Sequence, residues 1–184
     1  PVSITKLLSV YGMLQYLELE ETIPVGDALT LVQPDSSVAK LKAGDELTVS
    51  QLIAGMMLPS GNDAAQVIAV ATGRKLGGSN LSCNAAVDVF VEEMNRQAQS
   101  MGLINTHFTN CDGYPDYSHY TCMADLVTIA TACLDTPLIR DTANRVYKHK
   151  VGAILEPIVL ILLLLVCTGY LVDGSFSPFL YFRF

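Results

Sequence analysis

Between Ser3 and Leu19, apolar residues fall at helical spacing. Counted from Ser3, the positions Lys6, Leu7, Val10, Leu14 and Leu17 follow i, i+3, i+4 and i+7, which predicts an amphipathic helix over 3–19. Glu18, Glu20 and Glu21 end that pattern. From 22 to 47 the pattern is short and mixed, with Pro24, Gly26, Pro34 and Gly44 as punctuation, and predicts loops and two short strands. Thr48-Val49-Ser50-Gln51 has the form of a capping box and starts a helix through Leu52, Ile53, Met56 and Met57, which Pro59 stops. After the polar turn Ser60-Gly61-Asn62-Asp63, a second apolar helix is predicted over 64–71, closed by Gly73. Ser82 is placed to cap a longer helix with Val87, Phe90, Val91, Met94, Ala98 and Met101 on one side and Gly102 at its end. Residues 103–120 are rich in turn formers, among them Asn110, Asp112, Gly113, Pro115 and Asp116. Thr121 is the expected cap of a helix over 122–134, and Pro137 opens another ending near Lys148.

The pattern changes at about residue 150. From there to Phe184 only Glu156, Asp173 and Arg183 are charged, and Ile158 to Val166 is an unbroken apolar run. That run is shorter than the ~20 residues a spanning helix needs. The expectation is therefore a domain over 1–150 and an apolar tail over 151–184. The tail reads as an interfacial or marginal membrane segment, a buried strand, or a segment that does not fold. There is no internal repeat. The 184 residues suffice for one domain with a proper core. With 11 Lys and Arg and a net charge of −7, the chain lacks the basic face that nucleic acid requires. Cys83, Cys111, Cys122, Cys133 and Cys167 form no C-x-x-C pair, so the expectation is no zinc site and mostly buried free thiols, with one disulfide left open. The chain begins at Pro1, which reads as a processed product or a fragment.

The candidate chemistry lies in Ser3-Ile4-Thr5-Lys6. A lysine in an apolar stripe is driven toward its neutral form by desolvation. A neutral amine one turn from a serine hydroxyl can take its proton, and the first turn of a helix suits a developing negative charge. The same lysine can instead snorkel its amine to water and use its stem as core. A second S-x-x-K, Ser37-Val38-Ala39-Lys40, lies in a polar stretch with no apolar stripe and reads as a loop. Ser60-Gly61-Asn62 reads equally as an ordinary helix cap or as a relay, in which the hydroxyl passes a proton and the asparagine amide holds the lysine.

The context of these two motifs carries a resemblance. Pro1-Val2-Ser3-Ile4-Thr5-Lys6-Leu7-Leu8, the run from Gly44 to Leu52, and Leu58-Pro59-Ser60-Gly61-Asn62-Asp63-Ala64-Ala65 resemble the D-alanyl-D-alanine carboxypeptidases, the low-molecular-mass penicillin-binding proteins. The stretch Asn110 to Asp116, with His119-Tyr120-Thr121 and Ala124-Asp125-Leu126, resembles the same family's loop and following helix, so the likeness spans about 1–148. The resemblance implies an α+β fold, an antiparallel sheet covered by helices, of which this chain holds mostly the helical lobe and few strands. It implies Ser3 as nucleophile on the bond between two terminal D-alanines of a peptidoglycan stem peptide. Lys6 is then the acylation base, Ser60 and Asn62 complete the relay and hold the substrate, and no metal or organic cofactor takes part. It implies β-lactams as further ligands of Ser3, and a place in the cell envelope outside the cytoplasmic membrane, with membrane association through 151–184.

The chain departs from the family in two ways. The strands that precede S-x-x-K in the family are missing, and so is the third motif, K-T-G or K-S-G. Lys150-Val151-Gly152 lacks the hydroxyl, and Val172-Asp173-Gly174 is followed by Ser175-Phe176-Ser177. Two alternatives follow from that. One is a catalytically inactive fragment, or a binding or regulatory protein, whose tail is an unrelated end. The other is a β-lactamase of the same superfamily, which needs a carboxylate base that no Glu motif after Ser60 provides. His107, His119 and His149 are expected not to be catalytic, with His119 held in a loop hydrogen bond. The Asn62 amide and the Ser60 hydroxyl are expected to approach the Lys6 amine, and Lys6 to approach Ser3.

Overall fold

Helix α1, Thr5–Met13, lies among the other described helices. In this computed structural model, which describes residues 2–136, α1 packs against all four other helices. These are α2 (Val49–Met57), α3 (Asn62–Gly77), α4 (Cys83–Ser100) and α5 (Met123–Asp135). That setting explains why α1 is buried on nearly every side, Thr5, Lys6, Leu8, Ser9, Val10, Gly12 and Met13 included, and not along one stripe as its spacing predicts. The helix is also shorter than 3–19. Val2–Ile4 is a 3-10 turn, and after Met13 the chain tightens into turns that bring Leu17 into the core. The core itself is Leu8, Met13, Val49, Leu52, Met56, Ile68, Phe90, Met94 and Ile129. Each such side chain contributes about 1.5–3 kcal/mol by leaving water.

The two strands expected in 22–47 are β1, Thr22–Pro24, and β2, Glu46–Thr48, paired antiparallel with Ile23 opposite Leu47. A 3-10 turn, Asp27–Leu31, lies between them and is not visible in the periodicity. The capping box forms as drawn: Gln51 N–H donates to Thr48 Oγ1, and Thr48 N–H donates back to Gln51 Oε1. Ser82 accepts from Ala85 N–H to start α4. Gly102, at φ +76°, ends α4 in a Schellman motif, with Gly102 N–H on Gln99 O and Leu103 N–H on Ala98 O.

Two boundary residues behave differently from expectation. Gly73 does not close α3. The helix runs on through Arg74 and Lys75 to Gly77, and basic residues suit a helix C-terminus. Gly73 is instead where α3 and α4 touch, since a Cβ there would lie 1.8 Å from the Ala86 carbonyl oxygen. Thr121 does not cap α5. Cys122 holds the cap position, and the Thr121 hydroxyl meets Thr106 at 2.8 Å. Asp125 in the first turn of α5 accepts from Asn105 N–H and the Thr106 hydroxyl, tying the helix to the loop before it.

Among the described residues the fold is therefore mostly helical and the sheet amounts to two short strands. The helix expected from Pro137 to Lys148, the boundary near 150, the tail 151–184, His149 and Cys167 lie outside the described residues. No helix among the described residues is long and apolar enough to cross a membrane. Cys83, Cys111, Cys122 and Cys133 are free thiols, and Cys111 and Cys133 are buried.

Candidate active site

Ser3 sits in the 3-10 turn that enters α1, with its side chain exposed. Its hydroxyl shares a hydrogen bond of 2.6 Å with the hydroxyl of Ser60. Ser60 reaches that position through an uncommon backbone, since its φ is +58°. A non-glycine residue in the left-handed region costs on the order of 1–3 kcal/mol and persists only when its surroundings impose it. The turn is imposed from three sides. Ser37 Oγ donates to the Pro59 carbonyl at 2.6 Å, and Asn62 N–H donates to the Ser37 carbonyl at 2.8 Å. Asp63 is buried and accepts from the N–H groups of Ala39 and Leu41. Gly61 is enclosed: a Cβ would meet Gly55 O at 2.6 Å, Asp63 Oδ1 at 2.8 Å and Ala39 N at 2.9 Å. The second S-x-x-K is thus a brace behind the turn, with Ser37 and Lys40 both exposed.

Lys6 lies one turn into the chain from Ser3 and is 2% exposed. It does not snorkel. Its Nζ donates to Asn62 Oδ1 at 2.8 Å and to the Asp112 carbonyl oxygen at 2.6 Å. In its neutral form an amine has two N–H bonds and one lone pair, and these two acceptors match those two hydrogens. Burial lowers the affinity of this amine for a proton below that of an ordinary lysine, and the Asp112 carboxylate partly opposes the shift. The Cys111 thiol, itself pushed up by burial, stays neutral beside it.

The loop 109–120 closes over α1 at three successive points. Ser9 Oγ donates to the Cys111 carbonyl at 2.6 Å. Lys6 takes the Asp112 carbonyl. His119 Nε2 lies 2.7 Å from Thr5 Oγ1. Thr109 N–H donates to His119 Nδ1, so the proton resides on Nε2 and is given to Thr5. Burial pushes the His119 pKa down to about 4, and the ring is neutral at pH 7. His107 is exposed and bonds the Ser118 carbonyl.

The structure thus joins Ser3 to Ser60 and Lys6 to Asn62, two contacts spanning 57 and 56 positions. It does not join Lys6 to either serine by a hydrogen bond. The Ser3 hydroxyl is taken by Ser60, and the amine by Asn62 and Asp112. Asn62 Nδ2 is directed to Ser36 Oγ at 3.1 Å. Sequence reading missed Asp112, Thr5 and Gln66, whose Nε2 donates to Asp112 Oδ2 at 3.1 Å. A backbone carbonyl has no side-chain signature, and N-C-D-G announces only a turn. No group of three or more His, Cys, Asp or Glu among the described residues is arranged to hold a metal ion. A cavity of about 340 Å³ between β1 and α3 is lined by Ile23, Asp27, Val67, Val70 and Arg74 and by none of the site residues.

The model of one family, described as D-alanyl-D-alanine carboxypeptidase, matches residues 1–152. The D-alanyl-D-alanine carboxypeptidase of Streptomyces sp. (strain K15) is 34% identical over 153 residues, covering 80% of this chain and 51% of that protein. The D-alanyl-D-alanine carboxypeptidase DacA of Escherichia coli (strain K12) is 35% identical over 161 residues, covering 82% of this chain and 36% of its own length. The chain spans about half the length or less of these curated relatives. Among solved structures, the Streptomyces K15 DD-transpeptidase superposes with a TM-score of 0.66 at 34% identity, over 73% of this chain and 51% of that one.

Proposed function

The chain belongs to the D-alanyl-D-alanine carboxypeptidase family, and from that premise we propose that Ser3, Lys6, Ser60 and Asn62 form the acylating half of a serine-type DD-peptidase site. The observation that carries this reading is the buried Lys6 amine, held by Asn62 Oδ1 and the Asp112 carbonyl in the turn that follows Ser3, with burial lowering its proton affinity. Ser3 Oγ attacks the carbonyl between the two terminal D-alanines of a peptidoglycan stem peptide. Its proton passes to the Ser60 hydroxyl at 2.6 Å and on to Lys6, a second transfer for which the amine has to turn toward Ser60, since no hydrogen bond joins the two in this structure. The C–N bond breaks, the proton returns to the leaving D-alanine amine, and an ester on Ser3 remains. Water then cleaves the ester and restores the hydroxyl. A β-lactam ring is opened by the same attack, which makes Ser3 the point of penicillin labelling. Stem peptides lie outside the cytoplasmic membrane, so that is where the protein acts.

A second reading, a chain that keeps the helical lobe but turns nothing over, is favoured by one observation. The 184 residues contain no K-T-G or K-S-G. In the family that strand holds the substrate carboxylate and supplies an oxyanion donor, and losing one such donor costs about 10²–10³ in rate. Two assays separate the readings. Fluorescent penicillin should label the chain covalently, and Ser3→Ala should abolish the label. Label that persists in Ser3→Ala overturns the nucleophile assignment. Release of D-alanine from a peptide ending in D-Ala-D-Ala then distinguishes turnover from acylation alone.

A further inference from the structure

Helix α3 presents two amides one turn apart. Asn62 takes one N–H of the Lys6 amine directly. Gln66, four residues on, donates from Nε2 to Asp112 Oδ2 at 3.1 Å, and the backbone carbonyl of that same Asp112 takes the other N–H at 2.6 Å. Both Gln66 and Asp112 are buried, at 7% and 3% exposure. A carboxylate only accepts, so the NH₂ end of Gln66 has to face it. The other end, Oε1, is buried without a protein partner. A residue kept there for packing alone would be apolar, because a buried unpaired oxygen is destabilising.

We infer that Gln66 is a positioning residue for Lys6: by holding the Asp112 carboxylate it fixes the backbone carbonyl that takes one hydrogen of the amine and so keeps the lone pair free for the serines. The inference rests on the reading of Lys6 as the acylation base. Asp112 acts on the amine in two ways, through its carbonyl, which orients it, and through its carboxylate, which raises its proton affinity. The other groups against Lys6 carry no charge at neutral pH. They are its acceptor Asn62 and the Cys111 thiol, which burial keeps protonated. The carboxylate of Asp112 and the burial it shares with Lys6 therefore pull in opposite directions, and substitutions at 66 and 112 separate them.

The experiment follows the Lys6 titration by ¹³C NMR of its ε-carbon in the 184-residue chain, beside the rate of fluorescent penicillin labelling. Asp112→Asn removes the attracting charge while keeping the carbonyl, so Lys6 titrates lower than in the parent. Gln66→Leu frees the Asp112 loop and admits water, so Lys6 titrates higher, toward an ordinary lysine, and labelling falls about tenfold or more, as small misplacements at reacting groups do. Gln66→Met, closer in shape, serves should leucine unfold the chain. The double variant Gln66→Glu with Asp112→Asn rebuilds the contact with donor and acceptor exchanged, and labelling returns to within about threefold of the parent. A folded Gln66→Leu or Gln66→Met whose Lys6 titrates as in the parent overturns the inference, whatever its melting temperature. The titration does not depend on Ser3. A parent that resists labelling removes the acylation reading, and the NMR result still decides the role of Gln66.

Discussion

The hydroxyls of Ser3 and Ser60 lie 2.6 Å apart although 57 positions separate them in the chain. One stands in a 3-10 turn ahead of the central helix, the other on a left-handed residue in a turn between two helices. The left-handed position of Ser60 is not stable by local preference alone, so the meeting reports the packing behind that turn.

The backbone of Ser60 can be separated from its hydroxyl. Ser60→Ala keeps the φ of +58° without the relay, and Ser60→Gly loses the relay and relieves the strain. Both variants are expected to label with penicillin about 10²-fold more slowly. In urea unfolding the glycine variant is expected to be about 1 kcal/mol more stable than the alanine variant. Equal stabilities would mean that the turn stores no strain.

Lys6 sets a pH dependence. Its proton affinity is lowered by burial, and only the neutral amine can accept from Ser3, so acylation rises with pH as Lys6 loses its proton and flattens below the range of an ordinary lysine. Lys6→Arg cannot deprotonate and is expected to lose about 10²–10⁴ in labelling rate at every pH. A flat profile in the parent, measured by labelling rate against pH, rules Lys6 out as the base.

The Ser-Gly-Asn turn depends on the segment behind it. Asp63→Ala takes the acceptor from the part-buried N–H groups of Ala39 and Leu41 and is expected to destabilise by about 1 kcal/mol or more. Gly61→Ala drives a Cβ into backbone atoms at 2.6 and 2.9 Å and is expected to destabilise by about 3 kcal/mol or more. Denaturant midpoints for the two variants check both numbers, and a neutral Gly61→Ala would contradict the enclosure described above.

His119 makes the loop over α1 sensitive to acid. Its folded pKa is about 4 against 6.5 for the free side chain, so the unfolded chain binds a proton that the folded one refuses. Stability from this residue is full above pH 6.5 and is lost as pH falls toward 4, by about 3 kcal/mol in all. His119→Gln, which keeps a donor for Thr5, should flatten the part of the unfolding curve between pH 6.5 and 4 that belongs to this ring. Identical pH dependence in parent and variant would place the acid response elsewhere.

The chain's own order of residues determined the helices α2 and α4 with their caps, the two short strands and the two motifs, because capping boxes, proline stops and 3.6-residue spacing act between neighbours. It placed Ser3 and Lys6 in the same turn for the same reason. It misplaced the end of α1, the role of Gly73 and the cap of α5, each of which is set by what lies across the interface: four packed helices, the Ala86 carbonyl and Thr106. Whether Lys6 was wet or dry could not be read from its neighbours in sequence, since the same stripe serves a snorkelling amine. Only the tertiary structure decided that, by bringing Asn62 from α3 and the Asp112 carbonyl from a loop more than a hundred residues away onto one nitrogen. Desolvation is a property of everything that surrounds a group, and no local pattern encodes it.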